Sequence, residues 1–170
     1  MRENLDFSKL SSKFLIRRLD RRDLPAILAL QERHPLYYRF CPPTPCREKI
    51  LEDMAALPPG KTSKDKHYLG FFDGEDLVAI LDVITAYPKE DTVFWGFFMV
   101  AKERSGKGVG SGLVREALQE LKAQGYSSVR LGTMKGNPQS KAFWAKCGFM
   151  EMGIEARNDQ GVMLVLSKEL

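Results

Sequence analysis

The sequence predicts an α/β fold, with a mixed, twisted central sheet of about seven strands and helices on both faces of that sheet. Three observations lead to this fold class. Apolar runs of strand length recur through the middle and the end of the chain. Between them lie segments whose apolar residues recur at helical spacing. One strand-like run is followed by a glycine-rich segment, an amphipathic helix and another run, which is a β-loop-α-β unit.

The first half of the chain begins with a strand and two helices. The run FLIRRL (14–19) predicts the first strand, and Asp20 is expected to cap a helix after it. The segment HPLYYRFCPPTP (34–45) should interrupt that helix, and a second helix is predicted over 46–57. Two strands joined by a turn at Asp73 and Gly74 are then predicted between residues 66 and 88.

The second half begins with the strand DTVFWGFFMV (91–100), followed by the glycine-rich segment and a helix that ends at Gly125. One face of this helix carries Leu113, Val114, Ala117, Leu118 and Leu121. The chain then continues with a strand over 127–134, a short helix over 138–147, a turn at Gly148 and two closing strands around RNDQG.

Composition indicates one globular domain over residues 1–170, with 44% hydrophobic and 28% charged residues. The formal net charge is +4, but basic residues are mixed with acidic ones. This favours small anionic ligands over nucleic acid, which basic stripes typically bind. The N-terminal segment lacks the apolar core of a signal peptide, and nowhere do about eighteen apolar residues run together. We therefore expect a cytoplasmic location and no membrane partner.

Three cysteines, Cys41, Cys46 and Cys147, are odd in number and too sparse for a disulfide framework. Cys41 and Cys46 lack the paired Cys or His residues of a zinc site, so no metal is expected. We therefore interpret the three cysteines as buried or surface thiols.

The glycine-rich segment RSGKGVGSG (104–112) does not match two well-known phosphate loops. A P-loop needs a hydroxyl residue after its lysine, whereas Lys107 is followed by Gly108. A dinucleotide loop needs G-x-G-x-x-G, whereas these glycines recur at every second position. Backbone N–H groups of such a loop at a helix N-terminus still suit an anion such as pyrophosphate. A flexible surface turn is the alternative.

Two ordered motifs resemble those of the GNAT acetyltransferases. The segment FFMVAKERSGKGVGSGLV (97–114) resembles their coenzyme A signature, [QR]-x-x-G-x-[GA] at a helix start, which falls here on residues 105–110. The segment NPQSKAFWAKCGF (137–149) resembles their later motif, an asparagine, a helix with an aromatic residue, and then Gly-Phe. The resemblance extends over roughly residues 13–168, and it has the least support over residues 34–66.

The resemblance implies acetyl-CoA as the cofactor and assigns residues to it. Backbone groups of Phe98, Met99 and Val100 would pair with the pantetheine arm as though it were an added strand. The loop amides would hold the pyrophosphate, in a signature made of Ser105, Gly106, Lys107, Gly108, Val109, Gly110 and Ser111. Asn137 would contact the pantetheine region, and the far wall would consist of Ser140, Phe143 and Trp144. Alternatively, Phe98 and Phe143 are core residues and Asn137 is a helix cap.

The sequence departs from the family pattern at two positions. Ser105 replaces the usual glutamine or arginine, which removes a long side chain but leaves the backbone donors. Trp144 replaces a tyrosine thought to protonate the departing thiolate, and an indole has no usable acid pKa. Another group or water must supply that proton, or the thiolate leaves unaided.

The implied chemistry is acyl transfer to an amine. A lysine-like amine has a pKa of roughly 10.4, so a base or a water chain must remove a proton before attack. Asp82 is the candidate base, because its apolar neighbours should raise its pKa. Alternatively, Asp82 caps a bulge, pairs with an arginine or faces solvent. A backbone N–H near Met99 or Val100 is the candidate oxyanion donor.

Other groups are weaker candidates for this site. His67 and His34 titrate in a suitable range, although His34 is expected to be a loop residue. Tyr37, Tyr38 and Tyr87 lie in segments that can wall an acceptor pocket.

We expect an acetyl-CoA-dependent N-acetyltransferase that moves an acetyl group to the primary amine of a small molecule or peptide by direct attack. The alternatives are a non-catalytic acyl-CoA-binding or regulatory module and a nucleotide-binding protein. The acceptor is not identified, and a homodimer is an assembly compatible with the sequence.

Overall fold

The computed structural model describes residues 4–170, so the first three residues of the expected domain lie outside the described part. It contains a seven-stranded sheet with strands β1 (Leu15–Arg18), β2 (Lys66–Asp73), β3 (Asp76–Thr85), β4 (Thr92–Val100), β5 (Ser128–Met134), β6 (Met150–Asn158) and β7 (Gly161–Glu169). The α-helices are α1 (Leu24–Glu32), α2 (Pro35–Phe40), α3 (Arg47–Ala55), α4 (Val109–Ala123) and α5 (Pro138–Lys146).

The strand order is β1-β2-β3-β4-β5-β7-β6. Strands β4 and β5 are parallel, because α4 carries the chain back between them, and the other neighbouring strands are antiparallel. The predicted mixed sheet of about seven strands is therefore confirmed.

Helices cover both faces of the sheet, as predicted. On one face, α4 and α5 pack Leu113, Leu121 and Trp144 against β-strand residues such as Leu131. On the other face, α1 and α3 pack a second apolar cluster against β2, β3 and β4, and it includes Leu24, Ile27, Ile50, Tyr68, Ile80 and Met99. Asp82 and Lys66 lie on this second face, because side chains alternate along a strand and Ile80 and Tyr68 are two residues away.

Several local expectations need correction. Asp20 caps a short 3-10 turn at Arg21–Asp23, which α1 follows, rather than α1 itself. The interruption at 34–45 contains a helix of its own, α2, because Pro35 is well suited to a first helical turn. Strand β2 extends through Asp73, so the turn falls on Gly74, which has a φ of +60°, and Glu75.

Across residues 4–170, none of the helices combines the length and the apolar character that crossing a membrane requires.

Candidate functional site

Strands β4 and β5 are paired only at their beginnings. The parallel ladder joins Thr92–Trp95 of β4 to residues 128–131 of β5. Beyond that point β5 continues to pair with β7 through Met134, whereas β4 pairs only with β3. The second half of β4 therefore presents its β5-facing edge to an opening in the sheet.

The backbone groups at this edge belong to Phe98 and Val100. The Ala101 N–H donates to Val78 O at 2.7 Å, which sets the alternation of the β3–β4 ladder. It follows that the N–H and C=O of Met99 point toward β3, while those of Phe98 and Val100 point toward the opening. Of the strip expected to pair with pantetheine, Met99 contributes no backbone group at this edge, and its side chain is buried on the opposite face from α4.

His34 binds one of these edge groups. It lies between α1 and α2, and its Nε2–H donates to Val100 O at 2.8 Å. Burial lowers the pKa of the half-buried imidazole, so His34 is neutral at pH 7. The Val100 N–H and both backbone groups of Phe98 are left facing the opening.

The glycine-rich segment lies at the N-terminus of α4. Gly106 and Gly108 have φ values of +75° and +78°. The first intrahelical bond runs from the Gly112 N–H to Gly108 O at 3.0 Å, so the amides of residues 109–111 precede the helical ladder. They form a row of donors at the positive end of α4, as an anion-binding loop requires. Lys107 is exposed beside this row.

The hydroxyls of this segment are bound locally. The Ser105 hydroxyl donates to Ala101 O at 3.3 Å, and the Ser111 hydroxyl donates to Gly108 O at 3.3 Å. Both side chains thus support the loop itself, and the amides are the groups that face outward.

Gly110 brings the loop, β4 and α5 together. An added Cβ at Gly110 would lie 3.3 Å from Val100 Cγ2 and 3.4 Å from Phe143 Cε2. The predicted cofactor residues on three separate elements therefore share one neighbourhood.

Asn137 is buried and caps α5. Its Oδ1 accepts from the backbone N–H groups of Gln139 at 3.2 Å and Ser140 at 3.3 Å, and its Nδ2 donates to the Ser140 hydroxyl at 3.0 Å. Asn137 is thus the N-cap of α5, as in the alternative interpretation of this residue. Ser140 lies beside Asn137 at the start of the helix.

Aromatic rings form the wall between β4 and α5. Phe98 stacks on Phe143, with centroids 6.1 Å apart and an interplanar angle of 16°. Trp144 lies 4.9 Å from Phe143 and 5.8 Å from Phe98, measured between ring centroids. Its indole also packs against Trp95 and Phe149 and is only 8% exposed. Trp144 is thus part of the core under the opening, in the place where the family pattern has tyrosine.

Asp82 lies on β3 directly opposite Phe97 of β4 and is 7% exposed. Its Oδ2 accepts from Lys66 Nζ at 2.9 Å, while its Oδ1 has no hydrogen-bond partner among residues 4–170. Burial raises the pKa of this carboxyl to about 6, and the Lys66 ammonium opposes that rise. The carboxylate is thus near half-ionised at mildly acidic pH and ionised above it.

Gly96 makes room for this carboxylate. The β3–β4 register shifts at this point, since Asp82 pairs with Phe97 and Val83 with Trp95, so Gly96 is the extra residue of a β-bulge. An added Cβ at Gly96 would lie 2.6 Å from Asp82 Oδ2. The bulge occurs just where β4 separates from β5.

Sequence reasoning missed Lys66 and Gly96. A glycine inside the apolar run VFWGFFMV is a recognisable sign of a bulge or a close approach. Lys66 carries no such sign, because a lysine at the start of a strand normally faces solvent.

His67 lies on the opposite face of the sheet from Asp82. Its Nδ1 accepts from an Arg18 guanidinium N–H at 2.7 Å, and its ring is 6.0 Å from that of Phe7. Burial and the nearby Arg18 charge lower the pKa of His67 to about 4. His67 therefore does not belong to the group around Asp82.

The tyrosines divide into two groups. The Tyr37 ring packs edge-on against the Phe97 ring, with centroids 6.0 Å apart, and against the Tyr38 ring, with centroids 4.8 Å apart. Tyr37 and Tyr38 therefore lie near β4 on the face that carries Asp82. Burial raises the pKa of each phenol, which keeps them protonated at neutral pH. Tyr87 packs separately against Phe94 at 5.7 Å.

Cys41, Cys46 and Cys147 are free thiols. Within residues 4–170, His, Cys, Asp and Glu side chains form no group of three or more that could hold a metal ion.

Comparison with solved structures shows the fold. An acetyltransferase from Thermus thermophilus is 20% identical with a TM-score of 0.69, covering 91% of this chain and 96% of its own. The PaiA N-acetyltransferase from Thermoplasma acidophilum, solved with coenzyme A, is 19% identical with a TM-score of 0.64 and coverages of 91% and 98%. A spermidine N-acetyltransferase from Vibrio cholerae, solved with CoA and spermine, is 18% identical with a TM-score of 0.65 and coverages of 94% and 96%.

No curated protein sequence matches the chain significantly. The sequence model of the Acetyltransferase (GNAT) family, however, matches residues 27–149, which is well over half of the chain. The chain therefore belongs to the GNAT family of acetyltransferases, enzymes that use acetyl-CoA.

Proposed function

We propose that this N-acetyltransferase moves an acetyl group from acetyl-CoA directly to the primary amine of a small molecule or peptide, with Asp82 as the general base. The observation that carries the proposal is the buried Asp82 carboxylate, with Oδ1 free of partners in the described part of the chain. It adjoins the β4 bulge, where the unpaired edge of β4 begins.

The residues present fit the cofactor. Phe98 offers a backbone N–H and C=O at the edge of β4, which suits an amide of a pantetheine arm, and the Val100 N–H lies farther along the same edge. The amides of residues 109–111 suit a pyrophosphate at the start of α4. Acetyl-CoA supplies a thioester carbonyl and a thiol leaving group.

Asp82 is suited to take a proton from the amine. Its pKa of about 6 leaves it ionised at neutral pH, while still closer to working pH than an ordinary aspartate. Because Oδ1 is shielded from solvent, we infer that the proton reaches it from the amine directly or through one bound water.

The Val100 N–H is the candidate oxyanion donor, since Met99 points its N–H toward β3. Trp144 cannot release a proton to the leaving thiolate, so we assign that proton to water.

The buried Trp144 also favours a second candidate, a module that binds acyl-CoA without turnover. Purified protein, acetyl-CoA and a panel of primary amines distinguish the two. We expect amine-dependent release of free thiol together with an acetylated amine detected by mass spectrometry. Acetyl-CoA binding without thiol release on any amine would support the module instead.

A further inference from the structure

A cavity of about 260 Å³ lies next to the Asp82 pair, between α3 and the strands β1 and β2. Its described walls include Arg18, Leu19, Met54, Leu57, Lys66 and Tyr68. Lys66 thus contacts both the cavity and Asp82.

Lys66 has hydrogen-bonding capacity to spare. Its side chain is 7% exposed, and its ammonium makes one hydrogen bond among the described residues, to Asp82 Oδ2 at 2.9 Å. An ammonium has three N–H donors, so two remain for a ligand. A buried ammonium with unused donors is costly, which makes an anionic partner at this position favourable.

Lys66 is the group that favours an anion in the cavity. The described residues lining the cavity include no aspartate or glutamate, and the Arg18 guanidinium is already bound to His67 Nδ1 and Lys66 O on the opposite face of the sheet. The Lys66–Asp82 pair is neutral when the carboxylate is ionised, so a ligand carboxylate would be held by the two unused Lys66 donors. Leu19, Met54 and Leu57 offer apolar contact to an aliphatic chain.

The cavity is also near the reacting edge of β4. Lys66 Nζ is 2.9 Å from Asp82 Oδ2, which is 2.6 Å from the Cβ position at Gly96, so the ammonium lies within about 5.5 Å of the bulge. Phe98 is two residues farther, or about 7 Å along the strand. A short aliphatic chain can span that distance.

We propose that this cavity binds the carboxylate of the acceptor, and that the acceptor is an ω-amino acid whose primary amine lies at the other end of an aliphatic chain. Lys66 holds the carboxylate with its two unused donors. This inference rests on the proposed acetyl transfer, and it names the substrate class of the same site.

Three matched amines test the substrate class, namely 5-aminopentanoate, pentylamine and 1,5-diaminopentane. They share one chain and differ in a terminal carboxylate, methyl or ammonium. We expect kcat/KM for 5-aminopentanoate to exceed that for pentylamine at least tenfold, with the diamine poorest because the Lys66 ammonium repels its second ammonium. Equal use of 5-aminopentanoate and pentylamine by the wild-type protein would overturn the proposal.

Two variants connect that preference to the cavity. Lys66→Met should abolish it, whereas Lys64→Met, which removes a nearby exposed lysine, should leave it unchanged. If Lys66→Met does not fold, Leu57→Trp fills the cavity from its exposed rim, with exposed Leu15→Trp as the matched control. We expect Leu57→Trp, but not Leu15→Trp, to reduce the preference for 5-aminopentanoate severalfold. An undiminished preference in the Leu57→Trp variant would contradict the proposal.

Binding of pentanoate, which has no amine, separates this inference from the proposed function. We expect pentanoate to protect the wild-type protein from thermal unfolding and to protect the Lys66→Met or Leu57→Trp variant less. If the protein acetylates amines but pentanoate does not protect it from unfolding, the carboxylate site is rejected and the acetyl-transfer proposal stands. Pentanoate protection with no transfer to any amine would reject the acetyl-transfer proposal and leave an anion site.

Discussion

At the scale of single residues, the position of the Asp82 carboxylate depends on the absence of a side chain at Gly96. A Cβ there would lie 2.6 Å from Oδ2, closer than packed atoms allow. We expect Gly96→Ala to lower the free energy of unfolding by about 1–3 kcal/mol and to reduce acetyl transfer, because the carboxylate must move. Urea denaturation and steady-state kinetics measure the two effects.

Gly112→Ala is the matched control for that variant. The nearest atom to an added Cβ at Gly112 is the end of the Arg115 side chain at 3.9 Å, and the residue lies within α4. Alanine should therefore be neutral or stabilising there. Equal behaviour of the two variants would show that Gly96 has no special relation to Asp82.

The properties of Asp82 were predictable from sequence only in part. Its apolar neighbours predict a raised pKa, and burial does raise the pKa to about 6. Its partner was not predictable, because Lys66 is sixteen residues earlier and reaches Asp82 only through the β2–β3 register. A bulge cap, an arginine partner and solvent exposure were the expected alternatives for Asp82, whereas its partner is a lysine.

At the scale of elements, the glycine-rich segment connects β4 to α4 through two left-handed glycines, Gly106 and Gly108. Gly108 is the N-cap of α4 with a φ of +78°, and nothing lies within 4 Å of an added Cβ. We expect Gly108→Ala to cost about 1–2 kcal/mol of stability from backbone strain and to weaken coenzyme A binding, because the amides of the loop would shift. Calorimetric titration with coenzyme A measures the affinity.

Gly60→Ala provides the same strain elsewhere. Gly60 has a φ of +82° with equally open surroundings, in the turn after α3. We expect the same loss of stability with unchanged coenzyme A affinity. If Gly108→Ala binds coenzyme A as tightly as Gly60→Ala, the loop has no part in holding the cofactor.

The long elements were predictable, and the short ones were not. The apolar face predicted for α4 is confirmed, because the helix buries the same five residues, Leu113, Val114, Ala117, Leu118 and Leu121. Helix α2 was not predicted, because its six residues, Pro35–Phe40, are too few for a periodic pattern. Its packing of Tyr37 against Phe97 is a tertiary contact that local sequence does not contain.

At the scale of the whole molecule, the opening between β4 and β5 arises from long-range pairing. Strand β5 pairs with β4 only over 128–131 but with β7, at the far end of the chain, over all of Ser128–Met134. The class of sheet and its helical cover could be predicted from alternating elements. The direction of the Phe98 and Val100 backbone groups could not, because it follows from a register.

The two faces of the sheet also bury groups that make stability depend on pH. The pKa of His67 is about 4 in the folded protein and 6.5 ordinarily, so between these values the unfolded chain binds a proton that the folded chain does not. The contribution of His67 to stability should therefore be full above pH 6.5 and be lost as the pH decreases toward 4. Asp82, with its raised pKa, acts in the opposite direction between about 6 and 3.8.

His67→Gln isolates the histidine contribution, since the amide oxygen can still accept from Arg18. Between pH 7 and pH 5 we expect the wild-type protein to lose about 1 kcal/mol more of its unfolding free energy than the variant, allowing for solvent screening. Urea midpoints at the two pH values provide the comparison. Parallel losses would mean that His67 is protonated alike in both states.

The most direct test of Asp82 as the general base compares the pH dependence of kcat/KM for Asp82→Asn with that of the wild-type protein, using one amine. Dividing the wild-type kcat/KM by that of the variant at each pH cancels the titration of the amine itself. We predict a ratio of about 10²–10⁴ at pH 8 that shrinks as the pH falls through about 6, with unchanged coenzyme A affinity. Asp76→Asn, an exposed change on the same strand, should match the wild-type protein. A ratio near one at every pH would contradict the role of Asp82 as the base.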